Sequence, residues 1–302
     1  MPNRSTRSKV FKILMLLPCV AALCGCTEFD VLNATVPTLG YSRSINIAYG
    51  PLPRQSLDVY RPWHATQPAD IVIFFYGGHW QSGQKRDYRF VAQALTSRGF
   101  IAVLPDYRLY PDVTFPAFVE DGAHAVRWVH DHAQQLGGDP GHIFLMGHSA
   151  GAHIAALLTL DPHYLRSVGL DRADIRATTA LSGPYDFTPM PDDRAVFGMT
   201  DAQMRPSPAA EPIEFADGRE PPMLLIHGLA DQTVDPGNSA RLAQRIHLAG
   251  GDVQYIAYPG NGHVQIVLSL AWAFRGIAPT LNDVTAFFRR FDREPTQTRP
   301  TR

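Results

Sequence analysis

Residues 142–160, HIFLMGHSAGAHIAALLTL, change character twice. An apolar run of strand-like composition meets the pentapeptide Gly147-His148-Ser149-Ala150-Gly151, and an Ala/Leu-rich run of helical composition follows. G-x-S-x-G is a weak pattern by itself, but between a strand and a helix it has the context of a nucleophile elbow, a sharp turn that exposes a serine hydroxyl. The glycines matter because side chains at their places would collide with neighbouring backbone, while the serine is held in strained geometry. A tight structural turn with an idle serine would use the same residues, so the surroundings decide.

Outward from this turn the chain alternates. Two alternating segments, RSINIAYG and RQSLDVYRP, are separated by PLP and read as an antiparallel hairpin at the start of a sheet. ADIVIFFYGG is a continuous apolar run, as expected of a strand covered on both faces. Phe90, Val91, Ala94 and Leu95 have helical spacing with Gly99 as the stop, and FIAVLPDYR is again strand-like. Val119, Ala123, Val126, Val129, Ala133 and Leu136 mark the next helix, which GGDPG ends ahead of HIFLMG. ATTALSG, PMLLIHG and VQYIAYP are further strand candidates, with helices expected at residues 242–249 and in LNDVTAFFRRF. Strands alternating with helices predict an α/β fold, a mostly parallel central sheet flanked by helices on both faces, whose ligands bind at the carboxyl ends of the strands. Residues 184–222 are proline-rich and weakly periodic, which predicts a partly ordered loop over the sheet's edge.

The chain has 302 residues, 45% of them hydrophobic, and a formal net charge of −1. That suits one sizeable domain, expected at residues 41–293, and the absence of a basic tract beyond the first dozen residues argues against a nucleic-acid partner. Residues 1–25 place Arg4, Arg7, Lys9 and Lys12 before an apolar stretch too short for a comfortable transmembrane helix, the pattern of an export signal. The closing LCGC resembles the bacterial lipobox, by which Cys26 would become a lipidated first residue, residues 26–40 a tether and 294–302 a polar tail. Thr27 is not the aspartate that retains lipoproteins at the inner membrane in some bacteria, so the expected place is the cell envelope, at the outer membrane facing the periplasm. All three cysteines lie in this segment; with cleavage before Cys26, a catalytic cysteine, a disulfide framework and a cysteine-based zinc site drop out together.

A serine hydroxyl needs a base to take its proton, and the base needs an acid that fixes its tautomer. In the order Ser, Asp, His, the strand PMLLIHG is followed by Asp231, with Asp235 as a near alternative, and the strand VQYIAYP by His263 in a glycine-containing loop. Attack by Ser149 on a carbonyl would create an oxyanion that needs backbone N–H donors. The amide of Ala150 follows the nucleophile directly. FFYGGHW, residues 74–80, ends a strand in two glycines, which let the main chain approach a reacting oxygen and offer the amides of Gly78 and His79.

LDVYRP, YGGHW, DYRLYP, GGDPGHIFLMGHSAGAH, HGLADQTV and NGH together resemble the α/β-hydrolase esterases with an HGGxW or HGGG loop, in particular the branch of bacterial feruloyl and acetylxylan esterases and kynurenine formamidase-like proteins. The resemblance runs from about Tyr49 to Phe291 and implies a serine hydrolase that forms an acyl-enzyme on a small-molecule carboxylic ester and requires neither cofactor nor metal. Tyr76 departs from the histidine that many relatives carry at that place. A formamide- or amide-cleaving hydrolase with the same triad is the rival enzyme reading, and a non-catalytic lipoprotein using the fold as a binding module is the rival of another class. Trp80 and Tyr185 are candidates for the substrate pocket, and Asp106, Tyr107 and Arg108 for bracing the site. His130 and His132 flank Asp131, yet residues two apart on a helix do not share a face, which disfavours a metal there.

Overall fold

The computed structural model describes residues 28–65, 68–200 and 202–291. The expected signal sequence, Cys26 and the polar tail lie outside the described residues. Within the expected tether, Glu28–Ala34 forms a short helix (α1), docked by the Asn33 side chain, which donates to the backbone carbonyls of Arg86 and Asp87 at 3.1 and 2.9 Å.

Eight strands form one sheet: β1 (Tyr41–Ala48), β2 (Ser56–Pro62), β3 (Ala69–Phe75), β4 (Ile101–Pro105), β5 (Gly138–His148), β6 (Ile175–Leu181), β7 (Met223–Gly228) and β8 (Val253–Tyr258). Their spatial order is β1-β2-β4-β3-β5-β6-β7-β8, with the hairpin strands β1 and β2 antiparallel and every pairing from β4 to β8 parallel. The helices are α2 (Arg89–Thr96), α3 (Ala117–His132), α4 (Ala150–Leu160), α5 (Pro162–Ser167), α6 (Gly237–Leu248), α7 (His263–Leu268) and α8 (Thr280–Arg289).

The apolar runs are continuous because both sheet faces are covered. Successive strand residues point to opposite faces. Phe74 meets Tyr88 at 5.6 Å on one side, while Phe75 packs on the other against Gly122 of α3, where an added methyl group would stand 3.4 Å from its ring. Phe144 of β5 meets Phe288 of α8 at 4.6 Å. This is the α/β-hydrolase architecture.

Register then places the site. Phe75 pairs with Gly147, His148 with Leu181, Leu181 with Ile226 and Gly228 with Tyr258, so β3, β5, β6, β7 and β8 finish side by side. Gly78, Ser149, Asp231 and His263 follow these strand ends at the same edge of the sheet. Across that edge runs the proline-rich segment, ordered into three short 3-10 turns at Pro191–Phe197, Pro208–Ala210 and Pro212–Phe215, each of which begins with proline. Proline sits well at the first position of a helical turn, where its missing N–H is no loss.

Candidate active site

Ser149 stands between β5 and α4 with φ 56° and ψ −122°, a left-side conformation that costs a non-glycine residue ~1–3 kcal/mol and persists only where the surroundings enforce it. They do so here by close packing. A methyl group on Gly147 would come within 2.2 Å of the Gly151 carbonyl oxygen, and one on Gly151 within 2.1 Å of the Phe75 carbonyl oxygen. The Ser149 amide donates to the Leu181 carbonyl at 2.9 Å, which ties the turn to β6.

His263 heads α7 rather than sitting within a loop, so a helix start aims its ring. Its Nε2 accepts the Ser149 hydroxyl at 2.9 Å and its Nδ1–H donates to Asp231 Oδ2 at 2.7 Å. The other Asp231 oxygen accepts the amides of Thr233 and Val234 at 2.8 and 2.9 Å. Burial by itself would raise this carboxyl's pKa; hydrogen bonds from His227 and His263 outweigh it and hold the group well below the usual carboxylate range. Asp235, the near alternative, is exposed and pairs with Arg241 at 3.2 Å. The geometry thus brings Ser149, His263 and Asp231 into one hydrogen-bonded chain and leaves Asp235 outside it.

Two histidines not singled out from the sequence complete this arrangement. His227, the last residue but one of β7, donates from Nε2 to the Val234 carbonyl and toward Asp231 Oδ2, both at 3.1 Å, while its Nδ1 accepts the Ser239 hydroxyl at 2.7 Å. A polar residue inside the apolar run PMLLIHG was the signal for it, because a buried imidazole must find partners. His148 donates from Nε2 to the backbone carbonyl of His263 at 3.2 Å, with the two rings 4.8 Å apart. Burial, reinforced by the charge that His263 can carry, pushes the His148 pKa down to about 3, so this ring is neutral.

The glycine loop lies against the serine: a methyl group on Gly77 would stand 3.0 Å from Ser149 Cβ. Beyond it Gly78, His79 and Trp80 all have positive φ, at 134°, 56° and 57°. Such a run turns peptide groups through a tight arc, and the loop and turn hydrogen bonds among the described residues use none of the amides of Gly78, His79 and Ala150 as donors. Tyr76, at the departure from the family pattern, donates to Asp106 Oδ1 at 2.9 Å and accepts from Arg54 at 2.7 Å. Asp106 also accepts the Lys85 amide and ammonium at 2.7 and 2.9 Å, Tyr107 donates to the Tyr76 carbonyl at 2.7 Å, and Arg108 pairs with Asp121 at 2.8 Å. Asp106 and Tyr107 thus brace the end of β3 through Tyr76, Arg108 ties the same loop to α3, and the hydrogen bonds described for Ser149 and His263 involve none of the three.

A cavity of about 450 Å³ opens onto Ser149, His79, Trp80 and Ala150. Its remaining wall comes largely from the proline-rich segment and the start of α6, with Asp186, Phe187, Met190, Asp193, Arg205, Asp235 and Arg241. Trp80 lines it. Tyr185 does not: its ring is wholly buried among Ala152, Ala156 and Leu225, and the neighbouring Asp186 faces the cavity. Asn238 fixes this turn by accepting the amides of both residues at 2.9 Å, sending the larger ring inward. Asp186 lies between two guanidinium groups, those of Arg205 and Arg241, so the wall is charged but paired.

Among the described residues no group of three or more His, Cys, Asp or Glu is placed to hold a metal ion. His130 and His132 lie on α3, where Asp131 pairs with Arg127 at 2.7 Å and His132 stacks on Trp128 at 4.1 Å.

A family model described as BD-FAE matches residues 57–246. A probable isoprenylcysteine alpha-carbonyl methylesterase of Arabidopsis thaliana is 30% identical over 243 residues, covering 74% of this chain and 51% of its own. Esterase LipC of Mycobacterium tuberculosis is 29% identical over 310 residues, covering 92% of this chain and 76% of its own. The chain spans 51–60% of the length of three plant methylesterases of this kind that it matches. Esterase B of Lactobacillus rhamnosis, solved with a tributyrin phosphonate inhibitor, superposes with a TM-score of 0.74 at 21% identity over 96% of each chain, a likeness of fold.

Proposed function

Since the chain belongs to the BD-FAE family, we propose that it is a serine hydrolase of short-chain carboxylic esters working through an acyl-enzyme. The observation that carries this is the continuous hydrogen-bonded chain Ser149–His263–Asp231, with links of 2.9 and 2.7 Å, whose Ser149 end lines the cavity. Ser149 Oγ attacks the ester carbonyl carbon as its proton passes to His263 Nε2, and Asp231 stabilises the imidazolium through Nδ1–H. The tetrahedral oxyanion is met by the amides of Ala150, Gly78 and His79, each such donor being worth roughly 2.7–4 kcal/mol in the transition state. Collapse breaks the bond to the alcohol oxygen, which leaves with the proton from His263. Water then gives a proton to His263 Nε2 and its oxygen attacks the acyl carbon; collapse of the second tetrahedral intermediate frees the carboxylic acid and returns the proton to Ser149.

A fluorophosphonate probe should label Ser149, and Ser149→Ala should remove both labelling and ester hydrolysis. Labelling of another serine, or undiminished turnover by the variant, would sink the assignment.

Export and anchoring through Cys26 belong to this proposal and are supported by the sequence pattern of residues 1–26. Multiple acyl chains would bury many methylenes at ~0.8 kcal/mol each, enough for stable attachment where one chain is marginal. The protein should then partition with bacterial membranes at the cell envelope, and Cys26→Ser should release it or block processing; a soluble wild type cleaved elsewhere would refute this.

A further inference from the structure

The backbone around Trp80 is strained on two successive non-glycine residues, and packing alone does not account for how it is held. Trp80 is anchored by its carbonyl, which accepts the Tyr110 amide at 2.9 Å, and by its ring, which meets Phe197 edge-on at 4.9 Å. The residues on either side of it are gripped by one carboxylate. Asp193 Oδ2 accepts His79 Nδ1–H at 3.1 Å, and Asp193 Oδ1 accepts the Gln81 side-chain amide at 2.9 Å. Asp193 is buried, with 7% of its side chain exposed, and it belongs to the Pro191–Phe197 turn of the cavity wall, itself pinned where the Val196 carbonyl accepts the Phe115 amide at 2.9 Å. A buried carboxylate needs strong donors, and this one takes both from the loop that carries the oxyanion amides.

We propose that Asp193 is a positioning residue: by bridging His79 and Gln81 across Trp80 it sets the direction of the Gly78 and His79 amides toward the reacting oxygen. The wall segment therefore does more than bound the substrate, since it locks the oxyanion loop in the conformation the transition state needs. Backbone donors act only when aimed at the place where charge develops, and small misplacements cost large factors in rate. The inference rests on the ester-hydrolase reading above.

The test compares wild type with Asp193→Ala, His79→Ala, the double variant and Asp193→Asn on p-nitrophenyl acetate, with Ser149→Ala as the reference. Asp193→Ala should lower kcat by about tenfold or more while KM stays within about twofold, because the lost interaction serves the transition state. His79→Ala keeps its amide but loses the tether, so it should show the same pattern, and the double variant should be no slower than the worse single one. Asparagine retains the side-chain shape and one of the two acceptors, so Asp193→Asn should recover part of kcat relative to Asp193→Ala. Should Asp193→Ala not fold, His79→Ala reads the same bond from the other side. A rise in KM with kcat unchanged, or losses that multiply in the double variant, would overturn the inference. Ser149-dependent turnover that Asp193→Ala leaves intact sinks the inference alone; absence of Ser149-dependent hydrolysis in the wild type sinks the reading beneath it as well.

Discussion

His227 Nε2 lies 3.1 Å from Asp231 Oδ2, the same oxygen that His263 Nδ1 reaches at 2.7 Å. The Val234 carbonyl, also 3.1 Å from His227 Nε2, is an acceptor only, so that nitrogen carries the proton and Nδ1 is free to accept from Ser239. One carboxylate oxygen thus faces two imidazole N–H groups, and the hydrogen-bonded chain runs on from Ser149 to Ser239.

His227→Phe removes the second imidazole and leaves the half-buried Val234 carbonyl and the buried Ser239 hydroxyl without that partner. Each orphaned group costs ~1–3 kcal/mol, so the unfolding free energy should drop by roughly 2–6 kcal/mol, with kcat lowered because Asp231 is less firmly held. His227→Gln, which keeps one donor and one acceptor, should lose less of both. Urea unfolding alongside steady-state kinetics checks this; wild-type stability in the phenylalanine variant would contradict the network.

Gly151→Ala addresses the turn. The added methyl group would sit 2.1 Å from the Phe75 carbonyl oxygen and 2.5 Å from that of Tyr76, both backbone atoms of the strand end that leads into the Gly77–Trp80 loop. Neither atom can swing aside as a side chain would, so β3 and α4 must separate. The expected cost is ~1–3 kcal/mol or more, together with a fall in kcat as Ser149 parts from the Gly77 loop. A melting curve and turnover matching the wild type would show that the elbow is looser than its packing implies.

The sequence was most legible where one physical requirement dominates a short segment. Continuous apolar runs announced β3, β5 and β7 because both sheet faces are covered, and the elbow announced itself because only glycine fits beside Ser149 at positions 147 and 151. His263 and Asp231 followed from strand ends and chain order. The wall was illegible for the opposite reason: Asp186 and Arg205 sit in irregular backbone and Asp193 in a short 3-10 turn, with no sustained period to reveal which side chains turn inward. Tyr185 shows the cost, since an aromatic beside the site looks like a pocket residue until the Asn238 turn is seen to send it into the core. His148 and His227 gave a fainter signal, polar rings in apolar surroundings, whose partners only the fold supplies.

Acid should weaken the fold in a defined window. Burial, first among the causes for both, pushes the His148 pKa from 6.5 down to about 3 and that of His153 from 6.5 down to about 4. Below the ordinary histidine value the unfolded chain takes up two protons that the folded protein refuses, so acid favours unfolding. The stability due to these neutral rings is complete above about pH 6.5 and is lost progressively as pH falls toward 4 and 3, at no more than about 2–3 kcal/mol per pH unit. Asp231 acts in a separate, lower window, because its pKa is depressed: its contribution is present above the ordinary carboxylate range and is lost only as pH drops below it. His153→Gln keeps a donor for the Ala210 carbonyl, now met at 2.7 Å, but has no proton to gain. Urea midpoints between pH 7 and 5 should therefore fall less steeply in that variant, by about one proton's share of the slope; an unchanged slope would mean that His153 does not stay neutral in the folded protein.

The cavity also sets an expectation for acyl length. A cavity of about 450 Å³ opens beside Ser149, and Trp80, Phe187 and Met190 offer it apolar surface near Pro184, Pro189 and Val234, but Asp186 with Arg205 and Arg241, Asp193 and Asp235 also face it. Each methylene of a longer acyl chain gains ~0.8 kcal/mol only where it meets apolar surface. Pressed against the Asp186–Arg pairs it would instead strip water from charged groups whose effective desolvation penalty is several kcal/mol per ion. A mobile amphipathic lid could relieve this by opening onto a lipid surface, yet the wall segment is cut into three short turns, each begun by proline, and is fastened to the oxyanion loop through Asp193. Acetyl to butyryl esters of p-nitrophenol should accordingly be cleaved with higher kcat/KM than decanoyl or longer ones, with no jump in rate at the substrate's solubility limit. Preference for palmitoyl esters, or strong activation on triglyceride emulsions, would mean that the charged wall moves away during turnover and that the enzyme works at lipid interfaces.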